Sequence, residues 1–456
     1  MRRTLLIVGA GFSGTVLAVN LLRRAKSSPT EVVLVERGTA MGRGVAYADR
    51  EFPFLLNVPA ARLSADSNDP SSFLRFAQRR LPQTDGEDFL PRSLYGDYLQ
   101  DLLVQAEQAA PKHVTLRRVF GEVDGITQIA GEHELSVHFA DGSSMRADSA
   151  VLALGNPSAS VLPWAEPIRD HEAYRQDPWD LPRHLSDRHS VLIVGSGLTM
   201  ADAAMALGQD VGRAPRIRAI SRRGLLPQPQ TVHRSGVVKG DGAALLAHAH
   251  SLKNLLAACR ALAREVEMLG GDWREAITFI RALAPRLWQK LPEAERHRFI
   301  RHVQPHWGIH RHRLPPQIST HIADLRRGGK LEVSAGRIDS VAAHNSQLQV
   351  SWRPRGSRVT STWVVDLIIN ATGPDYALNR STDPLLMALR VSGLICADPL
   401  NLGIRTADHG AVMNVRGIPS QQLFYLGPML RADHWEATAA TEIRDHAERL
   451  ADHLLS

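Results

Sequence analysis

Unbroken apolar runs of strand length recur along the chain and lead into glycine. Leu5-Leu6-Ile7-Val8 runs into Gly9-Ala10-Gly11, and Val191-Leu192-Ile193-Val194 runs into Gly195-Ser196-Gly197. A short continuous apolar run bounded by turn residues predicts a strand buried on both faces, as in a parallel sheet. Each turn precedes a small-residue helix and then a second β-rich run, Glu31-Val32-Val33-Leu34-Val35-Glu36 in one half and Arg216-Ile217-Arg218-Ala219-Ile220-Ser221 in the other. Each half then alternates apolar and polar residues in hairpin fashion, from His133 to Phe139 with a turn at Asp141-Gly142, and from Gln347 to Trp352 with a turn near Gly356. Each closes on a buried-type strand ending in glycine, Ala150-Val151-Leu152-Ala153-Leu154-Gly155 and Leu367-Ile368-Ile369-Asn370-Ala371-Thr372-Gly373. Four features in one order, twice, predict two copies of one α/β unit.

The stretch from about Ala243 to Phe299 breaks the repeat. Leu252, Leu255, Leu256, Cys259 and Leu262 stand there at helical spacing, which predicts a helical insertion over about 240–325. Ser160 to Arg188, rich in proline and tryptophan, reads as a connection between units. The amphipathic segment from about Glu436 to Leu454 reads as a last helix returning to the first unit. The expected domains are 1–165 completed by 375–456, and 186–374 with the insertion.

A length of 456 residues also predicts more than one domain, and 44% hydrophobic with 22% charged residues is a globular composition. The two cysteines, Cys259 and Cys396, are far apart, which excludes a disulfide scaffold, a cysteine-only metal site and a C-x-x-C redox pair, and implies a reducing compartment. Met1-Arg2-Arg3 before an apolar run imitates a secretory segment, but that run stops at Gly9. No run approaches the ~18 apolar residues a membrane helix needs, so a cytoplasmic protein without a membrane segment is expected. The formal charge of +7 comes with scattered arginines and no aromatic-interleaved stripe, so an anionic cofactor accounts for it better than nucleic acid.

Gly9-x-Gly11-x-x-Gly14 follows a strand and opens a helix, with Glu36 at the end of the next strand. Gly9 gives the tight turn, Gly11 lets backbone approach a pyrophosphate, Gly14 lets helix pack on strand, and Glu36 accepts hydrogen bonds from a ribose diol. Phe12 and Ser13 within the turn and Arg37 beside Glu36 are further candidate contacts. The second turn, Gly195-Ser196-Gly197-Leu198-Thr199-Met200, lacks the third glycine, and its second strand ends in Ser221-Arg222-Arg223. A hydroxyl and two guanidiniums suit a 2′-phosphate where a carboxylate would repel it, which points to NADPH. His302, His306, His310 and His312 stand near helical spacing, but Pro305 and Gly308 are expected to interrupt the helix, and Arg311 and Arg313 to repel a cation. No metal is expected. Ser13 lies outside any G-x-S-x-G elbow, and no catalytic acid or base stands out.

The two turns with Ala371-Thr372-Gly373 resemble the two-dinucleotide-binding-domain flavoproteins, which include flavin monooxygenases, amine N-hydroxylases and pyridine-nucleotide reductases. Gly42-Arg43-Gly44-Val45-Ala46-Tyr47, Leu56-Asn57-Val58-Pro59-Ala60, His310-Arg311-His312-Arg313-Leu314-Pro315-Pro316 and Trp435-Glu436-Ala437-Thr438 are similar to a bacterial group of FAD/NAD(P)-binding proteins related to the amino-acid N-hydroxylases. The resemblance implies two Rossmann-like domains of the glutathione-reductase-like kind, with FAD on the first turn and NADPH on the second. It further implies that Arg43, Gly44, Asn57, Val58 and Ala60 lie along the flavin and its pyrophosphate, that Val123 touches adenine through its backbone, and that Ala153, Gly155, Gly373 and Trp435 lie near cofactor. Where relatives read Gly-Asp before the last helix, this chain reads Gly427-Pro428, which puts the acid's contact in doubt. The implied activity is NADPH-driven monooxygenation of a small nucleophile such as an amine by molecular oxygen through a flavin C4a-hydroperoxide. A reductase without oxygen insertion and a non-enzymatic redox sensor are the alternatives.

Overall fold

The computed structural model describes residues 2–25, 28–129, 131, 133–181, 189–209, 214–231 and 236–456. The chain divides into two units, Met1–Pro157 with Leu283–Lys290 and Tyr376–Ser456, and Ser158–Ala282 with Leu291–Asp375. Both have the Rossmann-like plan.

In the first unit the strand Arg3–Val8 runs parallel to Thr30–Glu36 on one side and to Ser149–Leu152 on the other. Val114–Phe120 extends the sheet beyond Thr30–Glu36, and Pro419–Tyr425 then Ala411–Met413 extend it beyond Ser149–Leu152. The apolar run is buried on both faces because each face is covered. Leu5 and Ile7 pack with the helices Phe12–Arg24, Arg92–Gln108 and Ala440–Leu455. Leu6 and Val8 pack with a three-stranded sheet, Val123–Gln128, Leu135–Phe139 and Ser144–Ala147, and with the helix Pro384–Val391. Burying one such leucine stabilises by about 1.5–3 kcal/mol. Ile443, Ala447, Leu450 and Leu454 form the buried stripe of the last helix, while Arg24 ties its outer face down through Glu448 and Asp452. That helix begins at Ala440 rather than near Glu436, because Trp435 and Glu436 are both buried ahead of it.

In the second unit Ser190–Val194 lies between Arg216–Ser221 and Leu367–Asn370, both parallel to it. Leu331–His344 pairs with Arg216–Ser221 and then outruns the parallel sheet to form an antiparallel ladder with Gln347–Pro354, which pairs with Ser361–Val365. At the other edge Tyr174–Arg175 pairs with Ile368 and Ile369, so part of the expected connection is a strand of this sheet. Residues 182–188 of that stretch lie outside the described residues.

The helix-rich stretch holds Ala243–Ala247, Leu252–Met268, Trp273–Lys290, Glu293–Arg298, Gln304–Arg311 and Pro316–Arg327. Pro305 and Gly308 do not break the helix, contrary to expectation. A π-helical turn, Phe299–Val303, precedes Gln304–Arg311 and puts Pro305 in a first turn, where its missing N–H is not needed. Among the described residues no helix is long and apolar enough to cross a membrane.

Candidate functional site

In the two sheets Arg3–Val8 and Ser190–Val194 sit where the strand order reverses, and the crevice at the carboxyl ends of such strands is the place for a ligand. In the first unit that crevice holds Gly9 to Gly14. Gly9 has φ +100°, and a Cβ there would stand 2.5 Å from the Ala153 carbonyl oxygen, so the fold itself requires glycine. Gly14 is likewise required, since a Cβ would run into the Gly9 carbonyl.

Gly11 is different. Its φ of −72° and ψ of −158° suit any L-residue. A Cβ there would meet only the Gly44 Cα, at an ordinary 3.5 Å. Among the described residues nothing forbids a Cβ at this position, so the fold does not itself require glycine there. Gly11 is also the N-cap of Phe12–Arg24, where unpaired amides and the helix dipole favour an anion.

The neighbours fit an anion as well. Arg43 is held by Asp97, yet its Nη1 is buried without a hydrogen-bond partner. Its loop is pinned over the turn, with the Gly42 N–H donating to the Ala10 carbonyl at 2.7 Å and Gln100 Nε2 donating to the Met41 carbonyl at 2.9 Å. Gly96, inside a helix, admits this loop, since a Cβ there would stand 2.6 Å from the Tyr47 carbonyl oxygen. Gly96, Asp97 and Gln100 belong to no motif, and a glycine interrupting an apolar helical pattern was the one signal they offered. Glu36 accepts the Ala10 N–H at 2.9 Å and the Gly38 N–H at 2.8 Å, fastening the turn and keeping further lone pairs.

Other candidates divide. Ser13 is buried near Gly427, whose Cβ would lie 3.6 Å from its Oγ. Gly427 has φ +147° and starts the turn Pro428–Ala432, with no carboxylate where an acid was in question. Ala153 donates its N–H to Val8 at 2.8 Å and Gly155 turns the chain outward with φ +69°. Asn57 and Val58 are half-buried, and the Ala60 N–H donates to the Asp88 carbonyl at 2.9 Å. Val123 starts a strand opposite Phe139. Phe12 packs on Tyr47 and Tyr95. Trp435 is taken up by packing: its ring stacks on Trp288 at 4.6 Å, with the Arg431 guanidinium 4.1 Å from its centre. Arg37 is exposed, 3.9 Å from Asp383.

The second turn repeats the logic. Gly195 has φ +126° and a Cβ would strike the Ala371 carbonyl, whereas Gly197, φ −88°, has nothing within 4 Å of where a Cβ would stand. Met200 is fully buried in place of the third glycine, and Leu198 and Thr199 are half-buried in the first turn of the helix Leu198–Leu207. Ser221 Oγ lies 2.8 Å from Ser196 Oγ and accepts the Gly224 N–H at 2.9 Å, so this hydroxyl serves the turn. Arg223 donates to the Arg301 carbonyl at 3.2 Å. Arg222 lines a cavity with residues of Leu331–His344, of the end of Gln347–Pro354 and of the chain that follows it. Gly373, φ +85°, ends the strand beside the turn.

His310 Nδ1 lies 2.8 Å from the His306 carbonyl, and burial followed by Arg223, His310, Arg355 and Arg260 holds the His306 imidazole below its ordinary range. Among the described residues no group of three or more His, Cys, Asp or Glu is placed to hold a metal ion. Burial pushes the Cys259 thiol up to about 11 and raises that of Cys396, so neither is a reactive thiolate.

Residues 6–157 match the profile of a family described as FAD-NAD(P)-binding. No curated protein sequence matches the chain. Among solved structures, the FAD-bound cadaverine monooxygenase of desferrioxamine biosynthesis from Erwinia amylovora is similar at 15% identity, over 98% of this chain and 92% of that one, with a TM-score of 0.65. The ornithine N-hydroxylase of Kutzneria sp. 744, with reduced FAD, NADP+ and L-ornithine, is similar at 13% identity over 100% and 99%, with a TM-score of 0.65. The thioredoxin reductase of T. acidophilum is similar at 11% identity over 100% and 98%, with a TM-score of 0.52. The chain therefore has the two-dinucleotide-domain fold of these flavoproteins from end to end.

Proposed function

We propose that the chain is an FAD-dependent monooxygenase that uses NADPH and molecular oxygen to hydroxylate a small nucleophilic substrate, an amine or amino acid. The observation that carries the cofactor reading is the pair Gly11 and Gly197, glycines the backbone does not need, each at a strand-order reversal and a helix N-terminus. At the first, helix-end amides and the unpartnered Arg43 Nη1 hold the flavin nucleotide's diphosphate, while Glu36 accepts from the ribose diol. At the second, the open approach at Gly197 takes the diphosphate of NADPH, with Arg222 and Arg223 beside the adenosine ribose. Bound FAD supplies the redox chemistry, between hydride from NADPH and molecular oxygen; the protein supplies position and electrostatics.

The greater structural similarity to the two amine hydroxylating enzymes, TM-score 0.65 against 0.52 for the thioredoxin reductase, favours oxygen transfer over simple reduction. A reductase relaying electrons to a thiol pair is disfavoured, because the two cysteines are distant in sequence and their thiols are raised by burial. The test is a turnover assay with a panel of diamines and basic amino acids. One of them should accelerate NADPH oxidation and return as a hydroxylated product; reoxidation to peroxide alone with every candidate refutes oxygen transfer.

A further inference from the structure

Beyond Arg222, the second unit gathers arginines that no dinucleotide-binding motif requires. Sheet register brings them together. Ser221 pairs with Ala335, so the chain leaving Arg216–Ser221 as Arg222 stands level with Gly336 and Arg337. Arg337 pairs with Arg353 across the antiparallel ladder, and the Arg355 N–H donates to the Ala335 carbonyl at 2.9 Å. Gly224 turns with φ +61° against Ala335, closing the corner. The result is a cavity of about 330 Å³ lined by Arg222, Arg337, Arg353 and Arg355.

Among the described residues one of the four has a carboxylate counter-charge: Arg353 pairs with Asp339 at 2.9 Å. Among the described residues no carboxylate pairs with Arg222, Arg337 or Arg355. His306 registers the same field, its imidazole held down by burial and then by Arg223, His310, Arg355 and Arg260. Three arginines that line one concavity, with no carboxylate partner among the described residues, repel one another unless an anion joins them. The cavity lies at the carboxyl end of Arg216–Ser221, one strand over from the strand that leads into Gly195–Gly197, which is the side on which a dinucleotide's adenosine ribose rests in this plan.

We propose that this cavity seats the 2′-phosphate of the nicotinamide dinucleotide, and that Arg337 and Arg355, with Arg222, make the site selective for NADPH over NADH. The proposal rests on the dinucleotide reading of the second turn. It adds the hairpin Leu331–Pro354 and the turn after it as the part that distinguishes the two coenzymes, with Ser221 confined to shaping the turn.

Calorimetric titration with adenosine 2′,5′-bisphosphate and with adenosine 5′-monophosphate, on the full chain, tests it. The wild-type protein binds the bisphosphate more tightly. Arg337→Ala and Arg355→Ala each weaken that binding about tenfold, the low end for a charge-assisted hydrogen bond at an exposed site, and leave the monophosphate within about twofold. Both side chains are exposed, so the variants fold, and Arg337→Gln, which keeps part of the stem and hydrogen-bonding capacity without the charge, loses as much as Arg337→Ala. Unchanged bisphosphate affinity in these variants, or no preference in the wild type, overturns the cavity's role and leaves the dinucleotide site standing. If neither nucleotide binds, the dinucleotide reading itself fails and takes the proposal with it.

Discussion

Gly11→Ala separates what the fold needs from what a ligand needs. The backbone at Gly11, φ −72° and ψ −158°, is open to alanine, and the new methyl would meet the Gly44 Cα at 3.5 Å. Without ligand the substitution therefore strains nothing, and by restricting the unfolded chain it should leave stability unchanged or raise it by about 0.4–1 kcal/mol. The same methyl would stand between the helix-end amides and an incoming diphosphate. Losing one charge-assisted hydrogen bond costs about 1.5–3 kcal/mol, which at ~1.4 kcal/mol per decade weakens FAD between about tenfold and about a hundredfold. Urea denaturation of FAD-free protein measures the first effect, and quenching of flavin fluorescence on titration the second. The reasoning is refuted if FAD affinity is unchanged, or if the FAD-free variant loses more than about 1 kcal/mol.

Gly9→Ala should do the reverse: with φ +100° and a Cβ 2.5 Å from the Ala153 oxygen, it should cost about 2 kcal/mol or more with or without FAD, read as a fall in the urea midpoint. Glu36→Ala strands the Ala10 and Gly38 amides, so it should both weaken FAD and destabilise the FAD-free protein by about 1–2 kcal/mol, whereas a purely ligand-facing acid would change only the former. Trp288→Ala removes a ring that is 3% exposed, stacked on Trp435 and bonded to the Ala432 carbonyl at 2.8 Å, and should cost about 3–5 kcal/mol in denaturant titration. Burial, then His434 and Arg449, lowers His446 to about 3, from an unfolded value near 6.5. The unfolded chain then binds the extra proton between those values, so the contribution is complete above about pH 6.5 and is lost as pH falls towards about 3. His446→Gln should flatten the acid side of the stability profile, and an unaltered slope would contradict this assignment.

The two strand-turn-helix units are legible in the sequence because their causes are local. Apolar runs make the buried strands, and glycines at fixed offsets make the turns, as at Arg3–Arg24 and Ser190–Leu207. What escapes is set by partners distant in the chain. Tyr174–Arg175 is too short to announce itself and is a strand only because Ile368 and Ile369 offer an edge. Ser221 ends its strand as motif reading expects, yet its hydroxyl is claimed by Ser196 and Gly224. Trp435 is drawn against Trp288, far back in the helical stretch. The arginine cavity depends on the register of a hairpin more than a hundred residues after Arg222, which a pattern of charges along the chain does not reveal.

The purified protein's visible absorbance after incubation with FAD and removal of the excess tests the account most directly. A stoichiometric flavin spectrum that bleaches when NADPH is added without air and returns when air is admitted is the predicted result. A colourless protein, or bound flavin that NADPH leaves fully oxidised, contradicts it.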